Sequence, residues 1–312
     1  MTTNLEVIHR QPDHQTFPLP LLFVHGAYTA AWVWDEYFLS FFARQGYDVH
    51  ALSLRGHGSS AEAGTLRWTS LTDYAADLNQ VIRRLGGTAV LIGHSMGATV
   101  VLKCLQTQRM PAVVLMAPVP VDGLLEASLL LAWRDPTLFW DMSLVQSLGP
   151  TVGSYASMRR ALFADGTPDS LIRPYFAHRQ AESPRAIMDM MGLDLPQVGR
   201  VITTCAAMPL LICGAEQDFL FPRRLIQETA QTLGTTARFF AMGHAMMLEP
   251  NWEEPAIYIH QWLQGLGLSQ AAVNDPEEES EQFKEENEER TAEKAEERQK
   301  IKAEHVGGYG NG

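Results

Sequence analysis

Apolar residues in the first 120 positions fall into two alternating rhythms. Dense short runs occur at Leu19–His25 (LPLLFVH), Asp48–Leu54 (DVHALSL), Ala89–His94 (AVLIGH) and Ala112–Pro118 (AVVLMAP), and each reads as a buried strand. Between them, WDEYFLSFFARQG and LTDYAADLNQVIRRLGG repeat apolar residues at spacings of three and four and then reach glycine, which predicts two helices with an ordinary stop. Strand and helix in alternation predict a parallel sheet assembled from strand-helix-strand units.

From Val119 to Thr203 this rhythm gives way to shorter segments rich in Trp, Phe, Tyr and Met, such as LLLAWRDPTLFWDMSL and LIRPYFAHRQAESPRAIMDMM. The strand pattern then returns in PLLICGAEQD and TARFFAMGH, beside the helical runs PRRLIQETAQTLG and EEPAIYIHQWLQGL. The expected organisation is therefore a core of residues 1–118 and 204–267 interrupted by a helical insertion, 119–203. A charged tail, 274–312, has almost nothing apolar to bury and is expected to be disordered. At most it forms a polar helix with pairs such as Glu286 with Arg290 and Glu296 with Lys300, each worth about 0.2 to 0.5 kcal/mol.

Composition narrows the function classes. A chain of 312 residues, 46% apolar and 19% charged, can bury a large core. Its net charge is -12, and residues 275–312 carry 13 acidic against 6 basic side chains, so the remainder is only mildly acidic. No cluster of Lys and Arg offers a phosphate backbone a basic face, so no nucleic-acid partner is expected. The cysteines, Cys104, Cys205 and Cys213, are odd in number and lack paired spacing, which predicts small core residues rather than disulfides. No leader pattern opens the chain and no apolar run is long enough to span a bilayer, so a cytoplasmic protein without a membrane span is expected. The histidines show no metal spacing such as H-E-x-x-H, and no metal is expected.

The chemistry concentrates in VLIGHSMGATV. Gly93-His94-Ser95-Met96-Gly97 fits G-x-S-x-G and lies between a strand and a helix start. Such a turn is sharp, and a β-carbon at Gly93 or Gly97 would collide with neighbouring chain. The Met96 amide, at the helix start, could face negative charge developing on a carbonyl oxygen. The alternative is a serine that merely caps an ordinary helix. A serine hydroxyl needs a base and a group that orients the base, and both follow in the order Asp, His. Asp218 lies in GAEQD after one strand and His244 in AMGHAMMLEP after the next. A parallel sheet brings all three to its carboxyl edge. Glu216 and Asp122 compete with Asp218 for the acidic role.

FVHGAY, SLRGHGSS, GHSMG, GAEQD and GHAMMLEP together resemble the α/β-hydrolase superfamily over about residues 5–267. The resemblance implies an α/β fold with a mostly parallel, doubly wound sheet and an inserted helical lid. It makes Ser95 the nucleophile, His244 the general base and then acid, and Asp218 the orienting carboxylate, with the Ala27 and Met96 amides as oxyanion hole and no cofactor. His25 would hold its loop and His57 would tighten a turn. The implied reaction is hydrolysis of a carboxylic ester or related acyl compound through an acyl-enzyme. The substrate would be a hydrophobic small molecule under the lid, facing Trp133, Phe139, Trp140, Tyr175 and Phe176, with Tyr155 and Met191 as further candidates. HGAYTAAWVW is similar to the methylesterase and hydroxynitrile-lyase branch, but the lysine those lyases use has no counterpart in residues 119–203. A ligand sensor with little turnover is the other alternative.

Overall fold

Every residue of Leu21–Val24, Val49–Leu52, Val90–His94 and Val113–Met116 is buried, as expected of strands covered by helices on both faces. The structure, a computed structural model, describes residues 4–60, 63–206 and 208–268. The expected charged tail lies outside the described residues.

Seven strands form one sheet: β1 (Val7–Arg10), β2 (Leu21–Val24), β3 (Val49–Leu52), β4 (Val90–His94), β5 (Val113–Met116), β6 (Leu210–Ala215) and β7 (Ala237–Phe240), in the order β1-β3-β2-β4-β5-β6-β7. All neighbours are parallel except β1, which runs antiparallel to β3. Helices α1 (Trp32–Asp35), α2 (Phe38–Arg44), α3 (Leu71–Arg84) and α4 (Met96–Cys104) connect the first strands, and α11 (Arg223–Thr232) and α12 (Glu253–Gly265) follow β6 and β7. Between β5 and β6 stand α5 (Leu124–Arg134), α6 (Pro136–Leu148), α7 (Tyr155–Leu162), α8 (Asp169–Ala177), α9 (Pro184–Met188) and α10 (Val198–Cys205). None of the described helices is long and apolar enough to cross a membrane.

The helix over α3 starts where the Ser70 hydroxyl accepts from the Asp73 amide and the Asp73 carboxylate accepts from the Ser70 amide, a reciprocal cap. Leu71, Tyr74, Leu78, Val81 and Ile82 recur on its buried face and join the main core with Val100 and Val101 of α4. Each large aliphatic side chain so buried contributes about 1.5 to 3 kcal/mol. Ala127, Ala186, Ile187, Met190 and Val201 of the inserted helices belong to the same core, so the insertion is packed onto the sheet layer itself.

Two local features depart from the sequence pattern. The helix expected across WDEYFLSFFARQG is two helices, broken at Tyr37 (φ -140°, ψ -48°). The break lets the Tyr37 ring stack on Trp252, 5.0 Å away and 5° from parallel, while Trp34, Phe38 and Phe42 stay packed around Phe23. Strand β1 has no counterpart among the expected strands, because it is an edge strand of four residues, two of them exposed.

Candidate active site

Ser95 follows β4 directly and has φ 52° and ψ -118°, a left-handed conformation that costs a non-glycine residue about 1 to 3 kcal/mol. Its side chain makes no capping bond to α4, so the helix-cap alternative is not what the residue does. The flanking glycines are compelled by contact. A β-carbon on Gly97 would sit 2.4 Å from the Val24 carbonyl oxygen and 2.5 Å from that of His25, and one on Gly93 would sit 2.7 Å from the Gly97 carbonyl oxygen.

His244 lies beyond β7 and Asp218 beyond β6. The His244 Nδ1–H donates to Asp218 Oδ2 at 2.8 Å, with both side chains buried. The other carboxylate oxygen, Oδ1, accepts from the Leu220 and Phe221 amides at 2.9 Å each. With Nδ1 committed as donor, Nε2 is the ring nitrogen free to accept a proton. Among the described residues no hydrogen bond joins Ser95 Oγ to His244, but the two residues line the same cavity. Such bonds often tighten only when substrate is bound. Glu216 is half-exposed and pairs with Arg223 at 3.2 Å, and Asp122 is exposed and outside the cavity lining, so neither competitor meets His244.

The loop carrying His244 is fixed to the insertion. Glu249 accepts from the Gly243 amide at 3.0 Å and the Ala164 amide at 2.6 Å, and the Ala245 amide donates to the Leu162 carbonyl at 2.8 Å. Burial pushes the Glu249 carboxyl up, and those two amides pull it back. His94 is buried behind Ser95, donates from Nε2 to the His244 carbonyl at 3.0 Å, and is held neutral by burial and by the nearby His244.

Peptide planarity aims the two expected oxyanion donors. The Ala27 N–H shares a trans peptide with the Gly26 carbonyl, which accepts from His25 Nδ1–H at 2.8 Å and the Thr29 hydroxyl at 2.9 Å, so the N–H points away from both donors. His25 Nε2 accepts from the Leu54 amide at 3.0 Å. Burial, with the neighbouring His57, pushes the His25 imidazole down to about 3, which keeps it neutral for this double role. The Ser95 carbonyl accepts from the Ala98 amide at 3.0 Å, so the Met96 N–H of the same peptide points the other way. Ala27 and Met96 both line the cavity with Ser95 and His244.

The cavity has a volume of about 460 Å³. Phe139, Tyr175, Phe176 and Met191 line it. Trp133 and Trp140 do not: they are 87% and 65% exposed on the outward sides of α5 and α6. That corrects the expectation for these two, since bulk and aromaticity do not tell which side of a short helix faces inward. Tyr155 also lies outside the lining. Arg159 and Arg179 reach the cavity wall but are engaged, Arg159 with Asp169 and the Thr167 carbonyl, Arg179 with the Pro150 and Phe176 carbonyls.

At the opposite end of the strands, His9 and His50 each contact a different oxygen of Asp48, at 2.6 and 3.0 Å. Their rings stack 6° from parallel, so both nitrogens are turned to the carboxylate rather than toward one shared point.

A strained serine after the central strand, with an aspartate and histidine on the loops after the last two strands of a mostly parallel sheet, defines the α/β-hydrolase class of fold. Residues 21–256 match the Alpha/beta hydrolase family, and the chain belongs to it. Protein ABHD8 of Bos taurus is 36% identical over 80 residues, covering 25% of this chain and 18% of that protein. A non-heme haloperoxidase of Rhodococcus erythropolis is 39% identical over 79 residues, 25% of this chain and 28% of that one. These matches thus span less than a third of either relative. The solved esterase from Exiguobacterium antarcticum is similar in fold, with a TM-score of 0.66 at 20% identity, over 84% of this chain and 96% of the esterase.

Proposed function

We propose that the chain is a serine hydrolase of carboxylic esters, acting through an acyl-enzyme on Ser95. The observation that carries this reading is the strained Ser95 sharing a cavity with a histidine whose Nδ1 is tied to a buried carboxylate. His244 Nε2 takes the Ser95 proton as Oγ attacks the ester carbonyl, and Asp218 stabilises the imidazolium. The Ala27 and Met96 amides receive the oxyanion, each such donor being worth about 3 to 4 kcal/mol. His244 then protonates the departing alkoxide, and water activated by the same nitrogen releases the acid. No cofactor enters this scheme.

Residues 119–203 act as the lid and residues 1–118 with 204–267 as the catalytic core. An apolar, methionine-rich lining that includes Met142, Met158 and Met190 fits a hydrophobic acyl group, since the flexible thioether side chain adapts to varied shapes. Arg159 is paired with Asp169, whereas Arg179 is held by two neutral carbonyls and keeps its charge at the cavity wall. The described lining contains no lysine, which disfavours a lyase. Steady-state turnover of p-nitrophenyl esters from acetyl to decanoyl tests the proposal. Turnover by the wild type that is abolished in Ser95→Ala supports it, whereas tight ester binding without turnover points to the sensor alternative.

A further inference from the structure

The loop bearing Ala27 is also held from the insertion. Glu182, between α8 and α9, accepts from the Tyr28 amide at 3.3 Å through Oε2, and the Gln180 amide donates to the Tyr28 carbonyl at 2.8 Å. The Gln180 side-chain carbonyl accepts from the Gly58 amide at 2.8 Å, fastening the same segment to the SLRGHGSS loop. Both backbone polar groups of Tyr28 are therefore committed to the insertion. Tyr28 has φ 64°, a conformation that a non-glycine residue keeps only when its surroundings impose it.

The Glu182 side chain is fully buried yet well partnered. Oε1 accepts from the Tyr74 hydroxyl at 2.6 Å and the Ser183 amide at 2.7 Å, and His57 Nε2 lies 3.2 Å from Oε2. His57 Nδ1 in turn donates to the Arg55 carbonyl at 3.1 Å, and Arg55 is clamped to buried Asp77. Burial alone would push the Glu182 carboxyl up, but the His57 charge and these donors hold it below the usual range. Ala27 stands between two fixed planes. The plane before it is held at the Gly26 carbonyl by His25 and Thr29, and the plane after it at the Tyr28 N–H by Glu182.

We propose that Glu182 is a positioning residue for the oxyanion hole: its buried carboxylate pins Tyr28, and with it the Ala27 peptide, only while the insertion is seated on the core. The insertion thereby supplies one of the two holds on Ala27, the other being the core's own His25 and Thr29. Loss of this hold alone, with the insertion and its cavity lining still seated, leaves an enzyme that binds substrate and turns it over slowly. The inference rests on the reading of Ser95 as nucleophile and Ala27 as donor.

The test compares full-length wild type, Ser95→Ala and Glu182→Gln. The amide keeps the volume of the side chain and removes its charge and one acceptor. Glu182→Gln is expected to lower kcat about 10- to 100-fold, since a mis-aimed donor loses part of the 10²- to 10³-fold that deletion of one costs, while KM stays within about threefold. Affinity for an alkyl trifluoromethyl ketone, which binds as a serine hemiketal oxyanion, should fall in parallel with kcat, and hydrogen exchange at the Tyr28 amide should accelerate. Should Glu182→Gln not fold, Tyr74→Phe removes one donor to the carboxylate and should show the same pattern at smaller amplitude. Unchanged kcat and ketone affinity with only a lower Tm, or a rise in KM alone, would overturn the proposal by showing a purely structural anchor. Ester turnover surviving in Ser95→Ala would instead overturn the reading of the site, and the Tyr28 exchange rate would still report whether Glu182 holds that loop.

Discussion

Asp218 divides its oxygens between two duties, and Asp218→Asn separates them. Oδ1 accepts from two backbone amides, at Leu220 and Phe221, and Oδ2 accepts from His244 Nδ1–H. An asparagine has one acceptor oxygen and one NH2 group. If the oxygen turned to His244, the NH2 would face two amide donors and leave both unsatisfied, at about 1 to 3 kcal/mol each. The oxygen therefore stays on the backbone amides and the NH2 faces His244 Nδ1. That nitrogen must then be the acceptor, its proton moves to Nε2, and Nε2 can no longer take the Ser95 proton. The same tautomer inversion in a serine protease lowers kcat by about 10⁴, or roughly 5.5 kcal/mol at 1.36 kcal/mol per decade. The assay is kcat on a p-nitrophenyl ester, paired with thermal unfolding. Activity should fall by about four decades while Tm moves by no more than a few degrees. An Asp218→Asn variant that kept more than a tenth of wild-type kcat would refute the assignment of Asp218 as the orienting group.

Other consequences follow from the same geometry. Gly97→Ala puts a β-carbon against two backbone oxygens that cannot swing aside, so stability should drop by about 1 to 3 kcal/mol and Tm by several degrees in scanning calorimetry; an unchanged Tm would contradict the contact argument. His25 titrates near 6.5 unfolded but is pushed down to about 3 when folded, so between those values the unfolded chain binds more protons and stability must rise with pH. Acidification from pH 6.5 to 5.0 should cost about 1.6 kcal/mol from this group, with His94 acting in the same direction, and a Tm that stays flat across that range would count against it. Phe139→Ala should raise KM for medium-chain esters, whereas Trp133→Ala, on a side chain 87% exposed, should leave KM unchanged; the reverse order would place the substrate outside the described cavity.

Much of this arrangement was legible in the chain because it is local. The elbow is five consecutive residues whose small neighbours reveal crowding, and six of the seven strands fall within short runs that read as strand. Strand β1 was not legible, since four residues with two side chains in solvent carry no burial pattern. The break at Tyr37 depends on Trp252, more than 200 positions away, and the helical spacing on either side conceals it. Trp133 and Trp140 misled because in a short inserted helix the inward face is chosen by tertiary packing. Glu182 gave no signal at all. Its partners Tyr28, His57 and Tyr74 lie over 100 residues upstream, and an acid beside Ser-Pro in a polar stretch looks like surface. Glu249 sat inside the recognised GHAMMLEP motif, but its task, bonding the Gly243 and Ala164 amides, exists only once the insertion has folded back.

The central claim is that the Ser95 hydroxyl is an activated nucleophile. Treatment of the full-length protein with an alkyl fluorophosphonate, followed by intact-mass measurement and peptide mapping, tests it most directly. A single adduct on the peptide containing Ser95, lost in Ser95→Ala and slowed at least a hundredfold in His244→Ala, is the predicted result. No adduct on the native protein, or one carried by a different residue, would contradict the account.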